Sequence, residues 1–117
     1  PRLMCAAAGP GGVPVTLADN VESMTLWFGL APSWARTTAV SKRPVRFLTP
    51  DLLAAADWDK VVAVRICLQL RSAEPVLDKN EDVLDYRDCH GAVQTSGDGR
   101  LRNAFFATAT VRNRVGF

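Results

Sequence analysis

The segment VVAVRICLQLR, residues 61–71, constrains the fold of this chain more than any other part of the sequence. Its alternate positions are all aliphatic, and the positions between them are mixed: Val62, Val64, Ile66, Leu68 and Leu70 against Val61, Ala63, Arg65, Cys67, Gln69 and Arg71. Neighbouring side chains on a strand point to opposite faces, so this period of two predicts a strand with its aliphatic row in the core. The mixed row is expected to meet solvent, a covering loop or a partner.

Two further segments show the same period. VESMTLWFGL, residues 21–30, alternates from Met24 to Leu30, and residues 101–114 alternate after a GDG turn at 97–99. A short extended piece is expected at 45–48. Thr49 and Pro50 supply an N-cap and a first helical position for a short helix ending by Trp58. Because loops rather than long helices join the strands, we expect a small antiparallel sheet and an α+β fold with one short helix.

Length and composition place these elements in one unit. With 117 residues, 48% of them hydrophobic, the chain can build one core, so a single globular domain over 1–117 is expected. Residues 1–16 are rich in Pro, Gly and Ala and are expected to form an irregular lead-in. A formal net charge of +2 gives no strong case for nucleic acid or an anionic membrane. The chain has no apolar run of about 18 residues, so we expect none of it to span a bilayer. Because it starts without methionine, we expect it to be a piece of a longer protein.

The residues that bear chemistry do not form a catalytic or metal pattern. The single histidine, His90, and three cysteines without CxxC spacing argue against zinc. Residues 78–88 begin like a calcium loop, but Val83 and Cys89 replace its glycine and glutamate, which favours a solvated acidic loop. Cys89 and His90 are neighbours whose side chains would point apart on an extended chain. We therefore expect no enzyme, no metal and no cofactor.

The cysteines suggest one disulfide. Cys67 lies on the mixed face of its predicted strand, and the loop carrying Cys89 must return beside that sheet, so a Cys67–Cys89 bond is the first choice. Such a bond would stabilise the fold by roughly 3 kcal/mol in chain-entropy models. Two alternatives remain open: in one, both cysteines pack unpaired as small apolar groups, and in the other Cys5 replaces either partner.

Arginines bracket the last predicted strand, at Arg100, Arg102, Arg112 and Arg114. In the simpler interpretation they are solvated strand ends that discourage edge-to-edge aggregation. In the other they form a basic strip that contacts acidic loops of neighbouring subunits or a nucleic-acid backbone. Trp27, Trp34 and Trp58 indicate packing rather than base stacking, because no regular pattern of basic and aromatic residues surrounds them.

Three ordered segments carry a family resemblance: LADNVESMTLWFGL, DWDKVVAVRICLQLRS and DGRLRNAFFATATVRNRV. Together they resemble the C-terminal part of the PilW family of type IV pilus minor pilins, over residues 17–72 and 97–115. The matching positions are Val21, Leu26, Gly29, Trp58, 61–71, Asp98, Arg100, Arg102, Phe105, Phe106, Arg112, Asn113 and Arg114.

The resemblance implies a pilin-like head that assembles with other minor and major pilins. The parent would be anchored in the bacterial inner membrane by an N-terminal helix that these residues do not contain, with its head in the periplasm or on the pilus. A related alternative is a J-type pseudopilin of type II secretion, and another is a pilus module that binds DNA or a surface ligand. The resemblance brings no catalytic residues.

Overall fold

The computed structural model describes residues 1–32, 43–76 and 84–111 of the chain, and these residues are mostly in strands. The strands are β1 Arg2–Cys5, β2 Val15–Asp19, β3 Val21–Leu30, β4 Arg46–Leu48, β5 Val61–Arg71, β6 Asp85–Arg87, β7 Val93–Thr95 and β8 Arg102–Thr110. They form a four-stranded sheet in the order β4-β3-β5-β8 and two hairpins, β1-β2 and β6-β7.

The three strands predicted from period-two patterns make up most of the four-stranded sheet. The strand predicted at 61–71 is confirmed as β5, and the extended piece predicted at 45–48 is confirmed as β4. The N–H of Arg71 donates to Asn20 O at 3.0 Å, and the N–H of Ala31 donates to Lys60 O at 2.9 Å. The start of β3 therefore lies beside the end of β5, which makes these strands antiparallel, as the loop connections predicted.

The short helix expected after Thr49 takes the form of two 3-10 segments, Pro50–Leu52 and Ala55–Lys60. The Thr49 side chain makes no capping hydrogen bond. Leu53 and Ala54 have extended backbone conformations and separate the two helical segments. At the start of the second segment, Asp57 Oδ2 accepts the Ala54 N–H at 3.1 Å. The helical part of the expected α+β fold is thus limited, in the described ranges, to short 3-10 turns.

Residues 1–16 are not the irregular lead-in that their composition predicted. β1 pairs with β2 in antiparallel register, and Arg2 Nε contacts Asp19 Oδ1 at 3.0 Å at the end of this hairpin. Gly9 and Gly11 have φ angles of 115° and 92°, which only glycine adopts readily, and they lie in the connecting loop. The glycines therefore form the loop of a hairpin, and they do not indicate an irregular start of the chain.

The burial of β5 also differs from the expected inward aliphatic row. Val62 of that row is buried, but Val64, Ile66, Leu68 and Leu70 are only half-buried. Cys67 and Gln69, from the row expected to be mixed, are buried instead. Ala63 and Cys67 are small, so neighbouring groups can approach closely on their side of the strand, which the alternation of hydrophobicity does not show.

The predicted disulfide is confirmed. It joins Cys67 to Cys89, both buried, and leaves Cys5 as an exposed free thiol. Closing this link holds the β6-β7 hairpin, which the sequence pattern did not predict, to the chain of β5.

The chain divides into two compact units. The first comprises Pro1–Met24 and Leu68–Phe105, and the second comprises Thr25–Cys67 with the chain from Phe106 onward. The single domain expected over 1–117 stays a prediction.

Candidate functional site

The first unit contains a charged cluster centred on Arg102, the first residue of β8. Arg102 Nε and Nη2 donate to the two carboxylate oxygens of Glu22 at 2.9 and 2.8 Å. Nη1 and Nη2 donate to the two oxygens of Asp98, both at 2.7 Å, and Nη1 also donates to Ser96 Oγ at 2.9 Å. These five bonds use every N–H that a guanidinium has. The side chain is 11% exposed, so Arg102 is a structural anchor within the fold.

Three arginines face the two carboxylates of this cluster. Besides Arg102, Arg71 Nη1 lies 3.6 Å from Glu22 Oε1 and Arg100 Nε lies 4.0 Å from Asp98 Oδ2. Hydrogen bonding to Arg102 lowers the pKa of both carboxyl groups, and these same bonds to Asp98 and Glu22 raise the pKa of Arg102. Glu22, Asp98 and Arg102 are therefore held in their ionised forms by one another.

The turn before β8 presents Asp98 to Arg102. Asp98 Oδ1 accepts the backbone N–H of Arg100 at 3.0 Å, and Gly99 takes a φ of 72° between them. The Ser96 hydroxyl is buried and donates to the carbonyl of Arg100 at 2.7 Å. The GDG sequence thus forms the tight turn that its glycines predicted, and its aspartate is directed into the fold.

Arg100 holds the chain that leaves β5. Its Nη1 donates to the carbonyl of Ser72 at 3.0 Å and also to that of Ala73. The Ser72 hydroxyl accepts the N–H of Leu101 at 3.1 Å. The guanidinium therefore satisfies backbone oxygens that follow a strand end, and its side chain is 24% exposed.

The β6-β7 hairpin borders this cluster, and Tyr86 of β6 lies with its ring centroid 5.7 Å from Arg102 Cζ. Asp88 organises the hairpin turn: Oδ1 accepts the N–H groups of His90 and Ala92 at 2.9 and 3.0 Å, and Oδ2 accepts from Gln94 at 3.0 Å. The bond from Gln94 is the main cause that lowers the pKa of Asp88. This turn fixes the position of Cys89, which lies within it.

The second unit has an aromatic surface. Trp27 of β3 and Phe106 of β8 stack with ring centroids 6.3 Å apart, and Phe106 remains 57% exposed. Phe28 packs edge-to-face on Trp58 at 5.1 Å. Adjacent residues of β3 thus both contact aromatic rings, so neither row of that strand is simply a solvent face.

A cation also lies on this unit's aromatic residues. Arg65 Cζ is 4.1 Å from the centroid of Phe47, a distance at which a guanidinium is attracted to the ring face. Phe47 can lie there because its partner on β3 is Gly29: a Cβ at Gly29 would be 2.8 Å from the Phe47 ring and 2.9 Å from Pro44.

The structure brings together two of the four arginines that the sequence singled out. Arg100 and Arg102 lie in the first unit, whereas Arg112 and Arg114 lie outside the described residues. Glu22 was not expected as a partner of Arg102, and no local pattern points to it, because the two residues are 80 positions apart. Asp98 is four positions from Arg102, so that spacing was visible in the sequence.

Two features are absent from the described parts of the chain. No group of three or more His, Cys, Asp or Glu side chains there is arranged to hold a metal ion. No described helix has the length and hydropathy needed to cross a membrane. The loop at 78–88 lies partly outside these residues.

The comparisons with known proteins identify a family. The PilW family model, described as type IV pilus-assembly protein W, matches residues 1–113 of this chain. No curated protein and no solved structure matches the chain. The family match confirms the resemblance seen in the sequence, and it extends over the β1-β2 hairpin and residues 73–96, where the sequence alone showed none.

Proposed function

The chain belongs to the type IV pilus-assembly protein W family, and from this membership we propose that it forms part of the head of a minor pilin. In this role it takes part in pilus assembly by binding other minor and major pilins, and it catalyses no reaction. The parent protein is anchored in the inner membrane by a helix that precedes these residues, and the head lies in the periplasm or on the pilus. The Cys67–Cys89 disulfide suits such an oxidising compartment.

The observation that best supports binding to other subunits is the apolar character of β8. Phe105 is 54% exposed and Phe106 is 57% exposed. The two are adjacent on a strand, so their rings lie on opposite faces of the sheet. On one of these faces Phe106 stacks on Trp27, and an exposed aromatic cluster of this kind is typical of a surface that another protein covers.

The arginines divide between two roles in this proposal. Arg100 and Arg102 hold the start of β8 in place through bonds within the chain, so that Phe105 and Phe106 are presented on an ordered strand. Arg112 and Arg114 are the candidate direct contacts with acidic loops of a neighbouring subunit. Of the four arginines in the predicted contact strip, we thus propose that Arg100 and Arg102 stabilise the fold and that Arg112 and Arg114 contact the partner.

The test is a binding assay between the purified chain and the other minor and major pilins of its own pilus system. Phe106→Ser is expected to weaken capture of at least one pilin about tenfold or more, because it removes an apolar contact from the interface. Val93→Ser is the matched control, since Val93 of β7 is also 57% exposed. Equal capture by both variants and the wild type would contradict a contact through β8.

The alternatives give different results in the same assay. Capture of type II secretion components in place of pilins would indicate a pseudopilin. Binding to DNA would fall steeply with salt and would be lost on substitution of Arg112 and Arg114. DNA binding has less support here, because Arg102 has no N–H left to offer a phosphate.

A further inference from the structure

The strand β8 forms one edge of the four-stranded sheet. In the order β4-β3-β5-β8, β5 is the single neighbour of β8 among the described strands. The opposite edge is β4, which has three residues, whereas β8 has nine. A long edge strand presents a row of unpaired backbone N–H and C=O groups, which is a template for another strand.

The hydrogen bonds of the strand show which residues point away from β5. The N–H of Val111 donates to Val62 O at 2.9 Å, so Val111 and every second residue before it face β5. The N–H and C=O groups of Phe106, Thr108 and Thr110 therefore point toward the open edge. Ala104 belongs to this outward set, but the side chain of Asn103 already accepts its N–H at 3.0 Å. The open stretch consequently begins after Ala104.

The sequence of this edge lacks the charged residues and prolines that commonly prevent strand pairing. Residues 103–110, NAFFATAT, contain no charge, no proline and no glycine. Natural edge strands are commonly protected by charged residues, prolines or bulges. Arg102 directly precedes this stretch, but its side chain is 11% exposed and bonded to Glu22 and Asp98; Arg112, which follows it, lies outside the described residues. The charge of Arg102 is therefore directed into the fold and does not oppose strand pairing at the start of β8.

We propose that residues 106–110 of β8 pair antiparallel with the same residues of a second copy of the chain. Thr108 lies opposite Thr108 of the copy and Phe106 lies opposite Thr110, so each facing pair exchanges two N–H···O bonds. A two-fold axis through Thr108 makes the strand its own complement. The uncharged run has no charge pattern that would select a different partner, and Thr–Thr pairs across strands are favourable. This inference does not depend on the proposed pilus function.

The first test measures the dimer by analytical ultracentrifugation over a range of concentrations. All samples carry Cys5→Ser, so that the exposed thiol cannot cross-link two chains. Thr108→Pro removes an outward N–H without removing a bond to β5, and it is expected to weaken the dimer at least about tenfold, because both copies lose a hydrogen bond. Ala109→Pro is the contrasting variant: its N–H faces β5, so it is expected to lower the melting temperature, which Thr108→Pro leaves nearly unchanged.

The second test uses charge exchange and does not rely on proline. Thr108→Lys and Thr108→Glu each place like charges opposite one another in the dimer, so each variant alone is expected to be monomeric. An equal mixture of the two is expected to recover the dimer, because Lys then faces Glu. Thr16→Lys makes the same change at an exposed position of β2 and is expected to leave the dimer unaffected.

Three outcomes would overturn the proposal. The Cys5→Ser chain could remain monomeric up to its solubility limit, which would exclude pairing through the edge. A dimer that survives Thr108→Lys would use another surface. A mixture of the Lys and Glu variants that fails to form dimers would exclude the register centred on Thr108.

Discussion

Arg102 and Glu22 are 80 positions apart in the chain, yet they form a two-point ion pair with N···O distances of 2.9 and 2.8 Å. This pair ties the start of β8 to the second residue of β3. Asp98 forms a second two-point pair with the same guanidinium, at 2.7 Å for both contacts. The stability of the first unit is therefore expected to depend on this arginine.

Replacement of Arg102 by alanine is expected to lower the free energy of unfolding by about 1–3 kcal/mol, because Glu22 then loses its main partner while partly buried. Arg102→Lys is expected to recover only part of the loss, since a lysine keeps the charge but cannot bond two carboxylates at two points each. Urea denaturation measures both. The control is Arg2→Ala, whose ion pair with Asp19 is about two-thirds exposed and is expected to contribute less than about 1 kcal/mol. A loss from Arg102→Ala no larger than that of the control would contradict the anchor.

The same cluster predicts a stability loss in acid. Hydrogen bonding to Arg102 lowers the pKa of Glu22 below its ordinary value of 4.5, so the folded state favours the ionised form. A carboxyl group with a lowered folded pKa stabilises the fold above its unfolded pKa, and this contribution is lost as pH falls toward the folded pKa. The urea midpoint is expected to be steady between about pH 7 and 5 and to fall below about pH 4.5. Glu22→Gln is expected to have a lower midpoint at pH 7 and a shallower fall in acid; parallel curves would rule out this contribution.

Loss of the disulfide is expected to destabilise the protein through the unfolded state. Cys67→Ser or Cys89→Ser removes a link that restrains the chain between the two residues, for which chain-entropy models give roughly 3 kcal/mol. Thermal melting of the two variants and of the double variant measures the loss, and the double variant is expected to melt close to the single ones. Cys5→Ser should melt like the wild type, because Cys5 is exposed and free. An equal effect at Cys5 would indicate exchange between disulfide partners.

Adding a single methyl group at Gly29 is expected to lower the free energy of unfolding. A Cβ at this position would lie 2.8 Å from the Phe47 ring and 2.9 Å from Pro44, so Gly29→Ala must displace the ring on which Arg65 rests. We expect a loss of about 1–3 kcal/mol, typical of overpacking. Gly97→Ala is the control, since a Cβ there has no neighbour within 4 Å. A Gly29→Ala variant as stable as Gly97→Ala would show that Phe47 can move without cost.

Local sequence patterns were sufficient to predict a single long strand and a single disulfide bond. The alternation of residues 61–71 predicted β5, and the chemistry of the cysteines favoured the pair Cys67 and Cys89, which the structure contains. The hairpin strands Arg2–Cys5 and Asp85–Arg87 were missed, because short strands have too few residues for a period to be detected. The short helix expected after Thr49 is present as two 3-10 segments, and the sequence did not show the break between them or that the Thr49 side chain makes no capping hydrogen bond.

The amino-acid sequence by itself determined that this protein consists of alternating strands joined by loops, that one cysteine pair can close, and that the chain belongs to the type IV pilus-assembly protein W family. Only the tertiary structure decided the role of Arg102 and the position of β8 at an edge among the described strands. Both depend on which strands become neighbours: β5 beside β8 brings Glu22 within reach of Arg102 and leaves the other side of β8 as an edge. A guanidinium that is withdrawn from water loses solvation, and charge-assisted hydrogen bonds to two carboxylates offset that loss. No residue next to Arg102 in the sequence shows that Glu22 will be one of the two.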